Sequence, residues 1–278
     1  MNRKEMLNKV NNALSLQEIQ KLEYDLLIKF HEYCEKNNLQ YMVTYGSLIG
    51  AVRHQGFIPW DDDIDVMMPR ADYSILINLL KEEKIENIDL LDSSIEEYYY
   101  PFAKLCDNRT IAKADNNKTE HGIWIDIFPI DAIPDNKLKY NIFQTRLMLL
   151  RDIIISYTTD FSTSHKGVKL LFKRVLSQYG EVVGKKKITN YMERYSQKYN
   201  KNNSDTFAAV IWQSAKGGFL KQDDILERVQ IKFNDAQIYV PKNYDTYLRS
   251  LYGNYMAIPP KSKRKDHYLH VEWKNSIK

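Results

Sequence analysis

The chain has 278 residues, enough to bury a full hydrophobic core as one large domain or as a core with a helical addition. Charged residues make up 27% and apolar residues 44% of the sequence, an ordinary balance for a soluble protein. The formal net charge of +4 is small, which argues against a protein that binds nucleic acid. Cys34 and Cys106 stand far apart, so neither a disulfide framework nor a zinc site is indicated, and unpaired thiols fit a reducing cytoplasm.

No stretch of the sequence predicts insertion into a membrane. The N-terminus is charged and lacks the apolar run of a signal peptide. The most apolar long stretch, residues 147–155, is interrupted by Arg151 and Asp152 and is too polar to span a bilayer. We therefore expect a cytoplasmic protein.

The first predicted element is a helix that begins at a capping box, Ser15-Leu16-Gln17-Glu18, and ends at Asn37-Asn38. Apolar residues at three- and four-residue spacing predict one buried face on this helix. A strand over residues 41–44 follows and leads into a Gly46-Ser47 turn. Residues 48–52 are then expected to form one or two turns of helix.

Gly46 and Ser47 are candidate phosphate-binding residues. Backbone amides at the start of a helix bind anions, and a glycine beside them lets a ligand approach the backbone closely. We expect both the backbone and the Ser47 hydroxyl to contact a phosphate.

An acidic cluster then runs into an apolar strand, Asp61-Asp62-Asp63-Ile64-Asp65-Val66-Met67-Met68. Because side chains alternate along a strand, Asp61, Asp63 and Asp65 are predicted on one face and the apolar residues between them in a core. Carboxylates at this spacing repel one another unless a cation collects them. Hard oxygen ligands beside a phosphate-binding turn indicate Mg²⁺-assisted chemistry on a nucleotide or phosphodiester.

Two other interpretations of the acidic cluster fit the sequence less well. A short acidic run is often a solvated loop, but a loop does not explain why the acids lead directly into an apolar strand. The Asp61-Asp63-Asp65 spacing also imitates the start of an EF-hand loop. That match fails because Val66 stands where the turn glycine belongs and Asp72 where the bidentate glutamate belongs.

A third carboxylate interrupts a later apolar strand, predicted over residues 123–127. Ile125 and Ile127 are expected on one face, with Asp126 and Trp124 on the other. An ionised aspartate inside such a strand is costly unless it is paired or bound to a metal, so Asp126 is the third candidate ligand. The alternative is an aspartate at a strand end that accepts backbone hydrogen bonds.

Other elements follow from the same patterns. Pro69 is expected in the first turn of a helix, and strands are predicted over residues 88–91 and 102–105. Lys104, on the second of these strands, is either a phosphate ligand or a solvent-facing lysine.

The second half of the chain reads mainly as helices. Asp135 is expected to cap a long helix that runs to Tyr157, and residues 165–200 predict one or two helices interrupted near Gly180. Strands are predicted over residues 207–212 and 237–240, returning to the core. A short helix is predicted over residues 244–251.

The string from Tyr45 to Asp65, Tyr-Gly-Ser-Leu-Ile-Gly-Ala-Val-Arg-His-x-Gly-Phe-Ile-Pro-Trp-Asp-Asp-Asp-Ile-Asp, resembles the LicD family of phosphotransferases. This family includes bacterial phosphocholine transferases and is related to the fukutin-type enzymes. Further similar segments are residues 68–73, 104–110, 122–131 and 244–260. The similarity covers roughly residues 20–135 and 237–270, and Asn254 departs from the aspartate expected in a Tyr-Gly-Asp-Tyr-Met pattern.

The resemblance implies an α/β (α+β) fold, with a nucleotidyltransferase-like mixed-sheet core and an added helical region. It implies a single domain over residues 1–278, with a core of about residues 15–135 and 205–270 and a helical insertion of about residues 136–200. Asp63, Asp65 and Asp126 would be the catalytic residues and the Mg²⁺ ligands. The residues expected to bind the phosphate of the donor are Gly46, Ser47, Arg53 and Lys104.

The resemblance also implies an activity. Enzymes of this kind move a substituted phosphate, such as phosphocholine, from a CDP-linked donor to a hydroxyl of a glycan or glycolipid and release CMP. The acceptors are cell-surface glycans, such as lipopolysaccharide or teichoic acid, built at the cytoplasmic face of the membrane. A basic cluster over residues 261–265 is either a solvated tail or a point of attraction to an anionic membrane surface or glycan-linked phosphate.

Two rival functions remain. A nucleotidyltransferase would use the same three aspartates to attach a nucleoside monophosphate and release pyrophosphate. A binding module that uses the acidic strand as a Ca²⁺ clamp would show no turnover, although the complete set of three aspartates argues against it.

Overall fold

A mixed β-sheet forms the centre of the computed structural model, which describes residues 13–113, 121–159, 168–202, 204–212, 217–264 and 270–274. The strands are β1 (Met42–Val43), β2 (Ile64–Pro69), β3 (Ile88–Leu91), β4 (Ala103–Asp107), β5 (Thr110–Lys113), β6 (Trp124–Ala132), β7 (Thr206–Ala208), β8 (Leu220–Lys221), β9 (Val229–Phe233), β10 (Ala236–Val240) and β11 (His270–Trp273). The helices are α1 (Leu16–Lys36), α2 (Tyr45–His54), α3 (Arg70–Glu82), α4 (Lys137–Thr158), α5 (Val168–Val183), α6 (Lys185–Ser196), α7 (Gln222–Leu226) and α8 (Tyr244–Tyr252).

The central sheet has the strand order β1-β2-β6-β4-β3, and β7 pairs with both β6 and β8. Strands β2 and β6 are parallel, whereas the other pairs in this sheet are antiparallel. Two further pairs, β9 with β10 and β5 with β11, form separate two-stranded sheets. The mixed sheet and its helices confirm the predicted α/β fold class, while the division into core and insertion stays a prediction.

Helix α1 begins and ends where the sequence predicts. The Glu18 amide donates to the Ser15 hydroxyl at 3.4 Å, and the Ser15 amide donates to the Glu18 carboxylate at 2.8 Å, which completes the capping box. Asn37 follows the last turn. The buried face contains the apolar residues expected from their spacing, and it also contains Glu23.

Helix α2 is longer than predicted, since it spans Tyr45–His54 rather than one or two turns. The chain enters it through Tyr45, whose φ of 47° lies in the left-handed region. Gly50 allows the loop after the helix to pack back on it. A Cβ atom at Gly50 would lie only 2.4 Å from the Gly56 carbonyl oxygen.

Several element boundaries differ from the prediction for local reasons. Pro69 stands just before α3, at the N-cap position, rather than in its first turn. The cap of α4 is Asn136, not Asp135, because the Asn136 side chain accepts hydrogen bonds from the Leu138 and Lys139 amides at 3.0 Å.

The break between the two following helices also falls elsewhere. It occurs at Gly184, whose φ is 93°, rather than near Gly180. Gly180 lies inside α5, where a Cβ atom would be 2.2 Å from the Tyr157 hydroxyl oxygen, so the glycine serves close packing rather than a turn.

The strands differ from the prediction where long-range pairing decides their length. Strand β6 runs five residues past its predicted end, because Asp131 and Ala132 pair with β7. Strand β7 is only three residues long, shorter than the predicted strand over residues 207–212. Strand β10 does not return to the central sheet but pairs with β9, which the sequence pattern did not predict.

Replacing Gly50 with alanine should destabilise the protein. The new methyl group meets the Gly56 carbonyl, a backbone group that cannot rotate away, so we expect a loss of about 1–3 kcal/mol in the free energy of unfolding. Chemical denaturation followed by tryptophan fluorescence measures this change. Thr145→Ala, at an exposed position of α4, is the control and should change stability by less than about 0.5 kcal/mol. Equal denaturation midpoints for the two variants would contradict the packing described for Gly50.

Candidate active site

Three neighbouring strands bring Asp65, Asp126 and Lys104 into one row. Asp65 on β2 is the register partner of Asp126 on β6, and Asp126 is the register partner of Lys104 on β4. Directly paired residues on adjacent strands project from the same face of a sheet. Strands β2 and β6 are therefore neighbours, with Asp65 and Asp126 on one face of the sheet. Ile125 and Ile127 are fully buried on the other face, as expected.

Lys104 and Asp126 form a salt bridge within this row. The Lys104 side chain is buried, unlike a solvent-facing strand lysine, and its ammonium nitrogen lies 4.2 Å from the centre of the Trp124 ring. Asp126 lies inside β6 rather than at its end. The positive charge of Lys104 therefore offsets the cost of placing the Asp126 carboxylate on the sheet.

The remaining aspartates of the acidic cluster precede β2, which begins only at Ile64. The predicted strand alternation therefore does not extend to Asp61, Asp62 and Asp63. Asp61 and Asp62 are buried and Asp63 is half-buried. A Cβ atom at Gly46 would lie 2.9 Å from Asp61 Oδ2, so the glycine admits the Asp61 carboxylate to the start of α2, where the helix dipole favours negative charge.

The Ser47 hydroxyl fixes β2 relative to α2. It accepts a hydrogen bond from the Asp65 amide at 2.8 Å and donates one to the Asp63 carbonyl at 3.4 Å. The first amides of a helix have no intrahelical acceptor, so the predicted phosphate contact of Gly46 and Ser47 rests on their backbone amides. The predicted contact between the Ser47 hydroxyl and a phosphate is less favoured, because this hydroxyl already bonds to the Asp65 amide and the Asp63 carbonyl.

Arg53 lies at the opposite end of α2, seven residues or about 10 Å along the helix axis from Gly46. Its guanidinium donates to the Tyr255 carbonyl at 2.6 Å and to the Ala257 carbonyl at 3.4 Å. The structure thus gives Arg53 contacts with the C-terminal segment, and its part in binding phosphate stays a prediction.

One residue of the basic cluster, Arg264, contacts the residue that directly precedes the acidic cluster, Trp60. Arg264 lies over the Trp60 ring at 4.1 Å, and its side chain donates to the Pro259 carbonyl at 3.2 Å. Lys265 falls outside the described residues.

Glu23, on α1, was not among the residues predicted for the site. Its side chain is fully buried, and neither carboxylate oxygen has a hydrogen-bond partner within the described part of the chain. Burial, and then the negative charges of the four aspartates within residues 61–65, raise the pKa of Glu23 well above its ordinary value. One turn earlier, Gln20 donates to the Asp61 carbonyl at 2.8 Å, so this face of α1 packs on the acidic loop. A glutamate on the apolar stripe of a helix is the sequence signal that could have revealed it.

Asp65 is in a similar electrostatic position. Burial and the nearby charges of Asp63, Asp126 and Asp61 raise the pKa of Asp65 well above its ordinary value, and the charge of Lys104 opposes them. The site therefore concentrates more negative charge than its neighbouring lysine balances. A cation would relieve this repulsion.

The donor chemistry of the site suits Mg²⁺, because its candidate ligands are all hard carboxylate oxygens. The buried Glu23 and the half-buried Asp65 are in surroundings that a cation would stabilise. Over the described ranges, however, no three carboxylate, thiol or imidazole side chains are grouped closely enough to hold a metal ion. The three predicted Mg²⁺ ligands are therefore not grouped as a metal site in this structure, in which Asp126 pairs with Lys104.

Comparison with known proteins places these residues in a family context. Residues 38–161 match the family described as LicD/FKTN/FKRP, nucleotidyltransferase domain, a segment that contains the acidic cluster, Lys104 and Asp126. The chain is 29% identical over 271 residues to the lipopolysaccharide cholinephosphotransferase LicD of Haemophilus influenzae, covering 92% of this chain and 97% of that protein. It is also 33% identical over 115 residues to an uncharacterised protein of Rickettsia typhi, covering 41% of this chain and 36% of that protein. A similar protein of Rickettsia prowazekii is 34% identical over 113 residues, covering 41% of this chain and 40% of that protein.

Glu23→Gln should increase the stability of the metal-free protein at pH 7. A carboxyl group whose pKa is raised in the folded state binds its proton more tightly there than in the unfolded chain. Stability is therefore lost as pH rises from about 4 through the raised pKa, and Gln removes this loss for Glu23. Thermal melts between pH 4 and 8 in the presence of a chelator measure the effect.

Glu32→Gln, at an exposed position of the same helix, is the matched control and should leave the pH profile unchanged. Added Mg²⁺ should raise the melting temperature of the wild type more than that of Glu23→Gln. A lower melting temperature for Glu23→Gln at pH 7 would contradict the electrostatic account.

Proposed function

We propose that the chain, whose residues 38–161 match the LicD family, transfers phosphocholine, or a similar substituted phosphate, from a CDP-linked donor to a hydroxyl of a cell-surface glycan. The Haemophilus relative, which aligns along nearly the whole chain, is named for cholinephosphate transfer to lipopolysaccharide. The single observation that carries the proposal is the row of Asp65, Asp126 and Lys104, built by the register of three strands.

The start of α2 is the proposed site for the donor diphosphate, which would there take the place of the Asp61 carboxylate beside Gly46. Its first amides point out of the helix, and the dipole of the helix favours an anion there. Lys104, whose ammonium lies beside Asp126, would offset the negative charge of the incoming phosphate. The Lys104 ammonium is positively charged and the first amides of α2 are partly positive. Together they counter the repulsion between the donor phosphates and the acidic cluster.

We propose Mg²⁺ as the metal, held by Asp63, Asp65 and Asp126, with Glu23 buried behind the acidic loop. When bound, the ion supplies stabilisation of the charge on the phosphoryl oxygens. In such a site the Asp126 carboxylate would exchange Lys104 for the ion, and Lys104 would then be available to the donor.

The transfer balances as a single displacement at the distal phosphorus of the donor. The acceptor oxygen forms a bond to that phosphorus, and the bond from phosphorus to the bridging oxygen breaks, so CMP leaves with the bridging oxygen. Asp126 is the proposed acceptor of the hydroxyl proton, since its half-buried carboxylate projects from the same face of the sheet as Lys104. Alignment of the two substrates supplies much of the remaining rate.

The cytoplasmic face of the membrane is the proposed location, where CDP-linked donors and growing glycans meet. The free Cys34 and Cys106 thiols are compatible with that compartment. In the described part of the chain, no helix combines the length and the apolar character needed to cross a bilayer.

The products distinguish this activity from its closest rival. Incubation with CDP-choline, a lipopolysaccharide or teichoic acid acceptor and Mg²⁺ should release CMP and leave the choline phosphate on the acceptor, as detected by mass spectrometry. CDP-ethanolamine and CDP-linked polyols serve as alternative donors in the same assay. Incubation with CTP should give no pyrophosphate above background. Pyrophosphate release with CMP attached to the acceptor would identify a nucleotidyltransferase instead.

Asp65→Asn should abolish turnover while the apo-protein melts at an equal or higher temperature. The substitution removes a ligand and also removes repulsion within the acidic cluster. Asp25→Asn, at an exposed position of α1, is the control and should retain wild-type activity. Unfolding of Asp65→Asn, or full activity in this variant, would show that Asp65 has a different role.

A further inference from the structure

The outer face of α5 exposes a continuous apolar stripe. Its members recur at three- and four-residue spacing, and each is between 53% and 88% exposed. They are Leu171, Phe172, Val175, Tyr179 and Val182. A stripe of this kind normally faces a core. Its exposure on a helix of 16 residues indicates a surface that contacts something other than water.

Helix α4 continues this apolar surface. Leu138, Ile142 and Leu149 lie along one side of the helix and are 50–68% exposed. Leu149 and the α5 residues Val175 and Tyr179 line one groove with a volume of about 1180 Å³. The two exposed stripes therefore meet across the groove. We call this combined surface the α4–α5 face.

The surroundings of the α4–α5 face are strongly basic. Arg146, Lys187 and Arg194 line the groove, and the acidic group among its lining residues, Glu193, lies 4.0 Å from Arg70. Residues 137–198 contain 13 Lys and Arg against 4 Asp and Glu, a net charge of +9. Since the whole chain carries +4, the remaining residues together carry −5. The positive charge is therefore concentrated in the segment that exposes the apolar stripes.

We propose that the α4–α5 face docks on the surface of an anionic phospholipid bilayer. Apolar side chains on one face of a helix, flanked by Lys and Arg, insert into the headgroup region while the basic groups contact anionic headgroups. A second copy of the chain is a poorer occupant, because it would bring two segments of +9 together. A nucleic acid would satisfy the charge but leave the apolar stripes in water.

The docking surface is directly connected to the candidate active site. Strand β6, which carries Asp126, ends at Ala132, and α4 begins at Lys137. Binding to a bilayer through α4 and α5 would thus hold the central sheet at a fixed distance from the membrane. The binding itself does not depend on the proposed activity and can be measured without donor or acceptor.

Sedimentation with sucrose-loaded vesicles tests the proposal. The full-length protein should bind vesicles that contain phosphatidylglycerol and should bind phosphatidylcholine vesicles far more weakly, with a decrease as salt is raised. The double variant Val175→Glu/Val182→Glu should weaken binding to phosphatidylglycerol vesicles by at least about tenfold, because it places charge in the apolar stripe. Lys173→Gln/Lys187→Gln should weaken binding by up to about thirtyfold at low salt.

Ile75→Glu provides the matched control. Ile75 is an exposed apolar residue on α3, 47% exposed and outside the α4–α5 face, so its substitution should leave vesicle binding unchanged. Circular dichroism confirms that each variant is folded. The proposal is overturned if the wild type does not prefer anionic vesicles, or if Val175→Glu/Val182→Glu binds them as well as the wild type does. It is also overturned if light scattering shows that the wild type is a dimer and that this double variant is a monomer. A second copy of the chain would then be what covers the α4–α5 face.

Discussion

The parallel pairing of β2 with β6 is the contact on which the candidate site depends. It places Asp65 directly beside Asp126, and a shift of one residue would turn one carboxylate toward the hydrophobic core. The alternate residues of both strands are completely buried on the inner face, which holds this register. The Ser47 hydroxyl bonds to the backbone of the acidic segment and so holds the start of β2 against α2. The apolar residues of these strands therefore determine where the polar chemistry lies.

The same arrangement carries an electrostatic cost. Glu23 is buried and Asp65 half-buried near other carboxylates, and Lys104 is the cation that the structure pairs with Asp126. Groups in such positions destabilise a folded protein when they ionise, so they are expected mainly where binding of a substrate or ion offsets the cost. The structure shows the salt bridge between Lys104 and Asp126, and in the proposed loaded site each partner would serve a different ligand instead.

Much of this site could be predicted from the sequence, because the signals are local. The acidic cluster, the lone Asp126 in an apolar strand and the Gly46-Ser47 turn each stand out within a few residues. What local patterns did not reveal depends on contacts between distant segments. Glu23 lies close to the acidic loop only because α1 packs there, the Lys104 pair with Asp126 requires the β4–β6 register, and β9 becomes a strand by pairing with β10. Helical periodicity likewise predicts an apolar stripe on α5 without telling whether the stripe faces a core or solvent.

Anomalous diffraction from crystals grown with Mn²⁺ in place of Mg²⁺ tests the central claim most directly. The account predicts an anomalous peak bound by carboxylate oxygens of Asp63, Asp65 and Asp126, with the Lys104 ammonium released from Asp126. A peak elsewhere on the protein, or a site without a peak in which Lys104 and Asp126 remain paired, would contradict it.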